Sequence, residues 1–199
     1  MSSSQYFSPQ PGVASQRRQV SLALPDMTLT LTTDRGVFSG DAVDAGTKYL
    51  LLEAPSPPAV GDVLDLGCGY GPIAVALARR SPRSTVWAVD VNERALALCA
   101  LNAEAAGVSN VRCLKPDEVP TPVRFAAIYS NPPIRIGKRP LHDVLARWLG
   151  RLSEGASAYF VVQKHLGSDS LAAWLAAEGH PVRRLGSRQA YRLLEVGAV

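Results

Sequence analysis

The stretch "VLDLGCGYGPIAVALA", Val63 to Ala78, decides the fold. Its opening residues are apolar apart from Asp65, as in a buried strand, and Ile73–Ala78 read as a buried helix segment. Between them lie Gly67, Gly69 and Gly71. The chain must turn tightly there, and backbone without Cβ atoms lets a ligand approach closely. The helix start beyond offers free N–H groups and the positive end of a dipole. Pro72 suits an early helical position, where a missing N–H costs little. A dinucleotide-binding turn carries G-x-G-x-x-G. Counted from Gly67, its last glycine falls on Pro72, which disfavours a nicotinamide oxidoreductase. A structural turn that binds nothing is the plain alternative.

Working outward, strands and helices alternate. "DVLDLG", "TVWAVDV", "NVRCL", "FAAIYS" and "SAYFVVQ" read as strands. "GPIAVALARRS", "NERALALCALNAEAAG", "HDVLARWLGRLS" and "SLAAWLAAEG" read as helices. This alternation predicts an α/β fold with a doubly wound, mostly parallel, Rossmann-like sheet. "PVRRLG" and "AYRLLEV" are too close for a crossover helix, so they form a hairpin and the last of seven strands runs antiparallel.

Upstream, "MTLTLTTDRGVFS" alternates as a half-buried strand does, with Val37 and Phe38 beginning a returning strand. "DAVDAGTKYLLLEA" reads as a short helix and "PSPPAVGD" as a linker. Residues 1–24, rich in Ser, Gln and Pro, read as a flexible arm unless they dock. Residues 25–199 form a single domain, with a β/helix extension at 25–54 and a core at 55–199.

Composition narrows the classes. The 199 residues are 47% hydrophobic and 19% charged, enough for a sizeable core. Three scattered cysteines suit neither a disulfide framework nor a metal site, so no metal is expected, and they point to a reducing, cytoplasmic compartment. No apolar run reaches membrane-span length, and the first residues lack the pattern of a signal peptide. A net charge of +4 permits a nucleic-acid partner without requiring one. Oligomeric state is not readable.

Candidate site residues gather at strand ends. Asp90 closes "AVDV" about twenty residues after the glycines, where an acid accepts the hydroxyls of a ribose. A plain helix cap would use the same residue or Asn92. Asp117 in "KPDEV" is a candidate acceptor for an adenine amine; an exposed loop carboxylate is the alternative. "SNPPIRIGKRP" (Ser130–Pro140) ends a buried strand in a stiff corner. Its two prolines remove two donors and fix φ twice, with Asn131 at the edge. Arg135, Lys138 and Arg139 follow, suited to phosphates beside a target nucleotide or to a solvated rim. Lys164 ends the next strand.

On these residues the chain resembles the class I S-adenosylmethionine methyltransferases: "DLGCGYG" is similar to their cofactor loop and "NPPI" to their amino-methylating motif. The whole chain resembles the methyltransferase domain of the ribosomal RNA small-subunit guanine-N2 methyltransferases. "YFSPQPG", "TDRGVFSGDAVDAGTKYLLL", "NPPIRIGK", "VVQKHLGSDSL" and "YRLLEV" carry that likeness over residues 6–196. It implies S-adenosylmethionine as cofactor, held by Asp65, Gly67, Gly69, Gly71, Asp90 and Asp117. It implies RNA, in ribosomal RNA or a ribosomal particle, as partner. Two departures stand out. Longer members carry an additional N-terminal domain, and many amino methyltransferases have an aromatic residue where this chain has Ile134. Base stacking then falls to Phe38 or Tyr70, or is replaced by apolar contact with Pro133 and Ile134.

The chemistry of the corner follows from the residues. The lone pair of an exocyclic amine is delocalised into its ring. An acceptor pair, the Asn131 side-chain oxygen and the Pro132 carbonyl, would grip both N–H groups and hold the nitrogen in line. Catalysis is then positioning and electrostatics. His142, His165 and His180 lie outside the motifs, and no general base is needed. On this reading Asn131→Asp, which keeps an acceptor, is impaired less than Asn131→Ala. An adenine amine, a protein glutamine amide, or a non-catalytic cofactor- or RNA-binding module are the competing readings.

Overall fold

The computed structural model describes residues 12–199. The chain order is β1 (Arg18–Ala23), β2 (Thr28–Thr33), α1 (Ala45–Glu53), β3 (Gly61–Leu66), α2 (Pro72–Arg80), β4 (Ser84–Val89) and α3 (Glu93–Ala105). Then follow β5 (Val111–Leu114), β6 (Phe125–Ser130), α4 (Lys138–Leu149), β7 (Leu152–Gln163), α5 (Ser168–Ala177), β8 (Val182–Arg188) and β9 (Tyr191–Gly197).

Seven strands form one sheet in the order β5-β4-β3-β6-β7-β9-β8. β3 to β7 pair in parallel. β9 runs antiparallel to both β7 and β8, as the short final connection requires. Side chains alternate between the two faces. Val63, Val86, Ala127 and Tyr129 pack under α1, α2, α3 and the N-terminal hairpin. Leu64, Trp87, Ile128 and Phe160 pack against α4 and α5. Each such fully buried aliphatic side chain contributes roughly 1.5–3 kcal/mol. The rigid centre of the sheet thereby fixes where its strand ends point.

Three expectations are corrected. Residues 18–23 are not part of an arm: they form β1, paired along its whole length with β2. Val37 and Phe38 form no strand but a turn and bend: β1 occupies one edge of β2 and the Asn102 side chain the other. The first eleven residues, with the start of the arm and most of "YFSPQPG", lie outside the described residues. α4 begins at Lys138, four residues before His142. Pro140 is tolerated because first-turn N–H groups have no intrahelical partner.

Besides the burial of Leu22, Leu29 and Leu31, one buried amide ties the hairpin to the core. Asn102 of α3 accepts from Thr32 N at 2.7 Å and donates to Thr32 O and Tyr70 O, both at 2.8 Å. Its side chain pairs with β2 as a neighbouring strand would, and it ties the hairpin to the glycine loop.

Candidate active site

β3 and β6 are sheet neighbours, yet the chain reaches β6 only after running out through β4 and β5. The winding reverses there, and the crevice beyond such strand ends is where open α/β sheets take ligands. A cavity of about 950 Å³ opens at that edge. The Ser130 hydroxyl donates to Leu66 O at 2.6 Å and joins the two strand ends.

The glycine loop forms one wall. Gly67, Gly69 and Gly71 have φ of +74°, +54° and +91°, a region that favours glycine. A Cβ on Gly69 would meet no protein atom within 4 Å, and one on Gly67 only Pro133 Cδ at 4.0 Å. Both line the cavity, so their bare backbone is a cradle that side chains would fill. Gly71 differs: its Cβ would lie 2.6 Å from Cys99 Sγ, so it serves the packing of α2 on α3. Burial pushes the neighbouring Cys68 thiol up to about 12, which keeps it an inert core residue.

Asp90 lines the cavity at the end of β4. Its carboxylate accepts from Gly69 N and from Asn92 N, each at 2.9 Å. Burial raises its pKa, and these backbone N–H groups oppose the rise. Each oxygen keeps a further acceptor site for a hydroxyl.

Asp65 is corrected. Expected at the cofactor, it is fully buried behind the loop and does not line the cavity. Strand alternation turns it toward α2, where it accepts from Ala74 N at 2.9 Å. Burial pushes its carboxyl up to about 8, and its other oxygen has no partner among the described residues. Asp117 lies on the cavity wall, its carboxylate taken by both terminal nitrogens of Arg147 at 3.0 Å.

The Asn-Pro-Pro corner forms the opposite wall. Pro133, at φ −76° and ψ 70°, is the centre of an inverse γ-turn closed by Ile134 N donating to Pro132 O at 2.8 Å. The Pro132 carbonyl, expected to be free for substrate, thus already serves one backbone donor and keeps a second lone pair. Asn131 donates from Nδ2 to Asp44 Oδ2 at 2.8 Å and to Thr47 Oγ1 at 3.1 Å. Its Oδ1 takes no hydrogen bond from the described residues, and Asn131 lines the cavity.

Asp44, Thr47, Gln163 and Tyr191 also line this wall and were not singled out from sequence. Asp44 Oδ2 accepts from Gly46 N and Thr47 N at the start of α1, and Oδ1 accepts from the Tyr191 hydroxyl at 3.2 Å. Gln163 donates to Tyr191 Oη at 3.1 Å. An Asp before a helix is legible as a cap; its reach to Asn131 is not.

At the rim, Phe38 is 46% exposed on the cavity edge. It precedes Ser39, whose φ of +57° is uncommon for a residue with a side chain. Tyr70 lines the cavity but is only 2% exposed, which leaves almost none of its ring open for stacking. Ile134 and Arg135 line the cavity; Lys138 and Arg139 stand exposed on the first turn of α4 outside it, and Lys164 is not on its wall. None of Arg135, Lys138 and Arg139 forms an ion pair among the described residues. Among those residues no cluster of three or more His, Cys, Asp or Glu could hold a metal, and no helix is long and apolar enough to cross a membrane.

A doubly wound sheet with a glycine cradle and strand-end acid defines the class, the S-adenosylmethionine-dependent methyltransferases. The chain belongs to the family described as "Methyltransferase small domain", which matches residues 28–195. It is 38% identical to the uncharacterized protein YbxB of Bacillus subtilis (strain 168) over 171 residues, 84% of this chain and 85% of that one. It is 35% identical to ribosomal RNA small subunit methyltransferase C of Shewanella amazonensis over 156 residues, 76% of this chain and 45% of that one. The chain thus spans about half the length of the ribosomal RNA methyltransferases it matches. A solved structure of the T. thermophilus 16S rRNA N2 G1207 methyltransferase, in complex with AdoMet and guanosine, shares the fold. Its TM-score is 0.80 at 24% identity, over 95% of this chain and 52% of that one.

Proposed function

We propose that this protein transfers a methyl group to an exocyclic amine of a nucleobase, guanine N2 in ribosomal RNA, in the cytoplasm. The observation that carries the reading is the Asn131 amide. Its two N–H groups face Asp44 and Thr47, so the end left over is an acceptor, the group an amine's N–H requires. The names of the ribosomal RNA relatives support guanine as the base.

The donor set fits the cofactor. Gly67 and Gly69 would admit it against bare backbone, and Asp90 would accept its ribose hydroxyls. Asp117 would accept at its adenine end. S-adenosylmethionine supplies, when bound, a methyl group made electrophilic by the positive sulfur. The protein's part is to hold the amine. Asn131 Oδ1 accepts one N–H, and the second lone pair of the Pro132 carbonyl accepts the other. Both bonds strengthen as the nitrogen becomes pyramidal and positive, so they favour the transition state over the ground state. The surplus proton leaves to water. Phe38 stacks on the base, with Pro133 and Ile134 as apolar walls. The base must be splayed from its stack to reach them. Arg135, Lys138 and Arg139 hold flanking phosphates.

The test is methyl transfer from labelled S-adenosylmethionine to small-subunit ribosomal RNA, free and in particles, followed by nucleoside analysis. N2-methylguanosine is the expected product. Label in N6-methyladenosine or in protein would replace the substrate; no transfer to either form would return the chain to a binding module.

A further inference from the structure

We infer that Asp44 is a positioning residue that fixes which end of the Asn131 amide faces the cavity. The inference rests on the proposed role of Asn131. A side-chain amide can turn over, exchanging its oxygen and nitrogen, and only its partners decide between the two states. Asp44 offers a carboxylate, which accepts and cannot donate. With Asn131 Nδ2 at 2.8 Å from Asp44 Oδ2 the pair bonds. Turned over, two bare oxygens would meet at that distance, and an N–H would face the N–H groups of the substrate.

Asp44 is itself held. Gly46 N and Thr47 N donate to the same Oδ2, and Tyr191 donates to Oδ1. Gly46 makes this possible: a Cβ there would lie 2.5 Å from Tyr191 Cε1 and 2.8 Å from Asp44 Oδ2. Asp44 is 87 residues from Asn131 and 147 from Tyr191 along the chain. The start of α1 and the last hairpin thus converge on the side chain that meets the substrate.

The test separates this role from helix capping. Asp44→Ser keeps a short acceptor for the α1 N–H groups but cannot reach Asn131. Single-turnover methyl transfer should fall about 10- to 100-fold, the worth of a hydrogen bond to a charged group, with cofactor affinity and Tm near wild type. Asp44→Asn should stay within about fivefold of wild type, because its oxygen can replace Oδ2 and Tyr191 can accept as well as donate. Asp44→Ser added to Asn131→Ala should cost nothing further, since coupled residues are not additive. The Asp44 contact reverses the order expected from the sequence alone: Asn131→Asp sets two carboxylates in contact, so it should be no faster than Asn131→Ala and should recover when combined with Asp44→Asn. This last pair needs no Asp44→Ser protein, so the inference stays testable if that variant does not fold. Wild-type transfer by Asp44→Ser, an Asp44→Asn protein as slow as Asp44→Ser, additive loss, or Asn131→Asp faster than Asn131→Ala would each overturn it. Near-normal transfer by Asn131→Ala would instead remove the amine-gripping role itself.

Discussion

Asp90 accepts the backbone N–H of Gly69 at 2.9 Å, so the acid at the end of β4 and the glycine loop after β3 act as one unit. Asp90 shapes the cradle and, in the proposed function, would present the acceptor for a ribose. Asp90→Ala should therefore weaken S-adenosylmethionine about ten- to a hundredfold, the roughly 1.5–3 kcal/mol of a charge-assisted bond. Asp90→Asn should weaken it too. Both carboxylate oxygens already face backbone N–H groups, so an amide must turn its NH₂ against one of them. Calorimetry on both folded variants checks this. Unchanged affinity in either would detach Asp90 from the ribose.

The glycines should separate by substitution. Gly69→Ala meets no protein atom. Its cost to the free protein is the left-handed backbone, about 1–2 kcal/mol, while its methyl group enters the cradle and should block cofactor. Gly71→Ala drives a Cβ into Cys99 at 2.6 Å and should lower Tm much further. Paired thermal melts and cofactor titrations read both effects. Equal losses of Tm would mean the loop is not open at Gly69.

Much of this was legible in the sequence because it is local. The β-α alternation from Gly61 onward follows from runs of apolar residues buried on both faces. The glycine loop and the Asn-Pro-Pro corner announce themselves by backbone chemistry. β1 was missed because "RQVSLA" carries only three apolar residues, and its stability comes from pairing with β2, which Asn102 far along the chain holds in place, and from burying Val20 and Leu22. Asp65 was misplaced because a motif does not say which face of a strand a residue takes. Asp44 and Tyr191 were missed because no sequence spacing relates them to Asn131; only the folded sheet brings them together.

The rim gives a salt-dependent prediction. Arg135, Lys138 and Arg139 are free of ion pairs among the described residues, so no carboxylate among those residues competes with phosphate for them. Changing all three to Glu should weaken RNA binding and flatten its dependence on salt by about 0.7–0.9 for each phosphate no longer neutralised. Cofactor affinity should hold. If RNA affinity and slope both survive, the phosphates are held elsewhere, with Arg188 on the outer hairpin the next site to change.

Asp65 ties stability to pH. Its carboxyl is raised from 3.8 to about 8 by burial. Between those values the folded protein holds a proton that the unfolded chain has lost, so stability falls as pH rises. The slope from this group reaches about 1.4 kcal/mol per pH unit and levels off above pH 8. Asp65→Asn removes the titration: its oxygen can accept from Ala74 N, and its NH₂ occupies the place of the unpartnered oxygen. Asp90 is raised as well, but it titrates in both proteins and largely cancels in their difference. Urea midpoints at pH 5, 6, 7 and 8 should therefore show Asp65→Asn gaining on wild type at each step. A difference that stays constant across that range would mean Asp65 is ionised in the fold, with its second oxygen served by a donor such as a buried water.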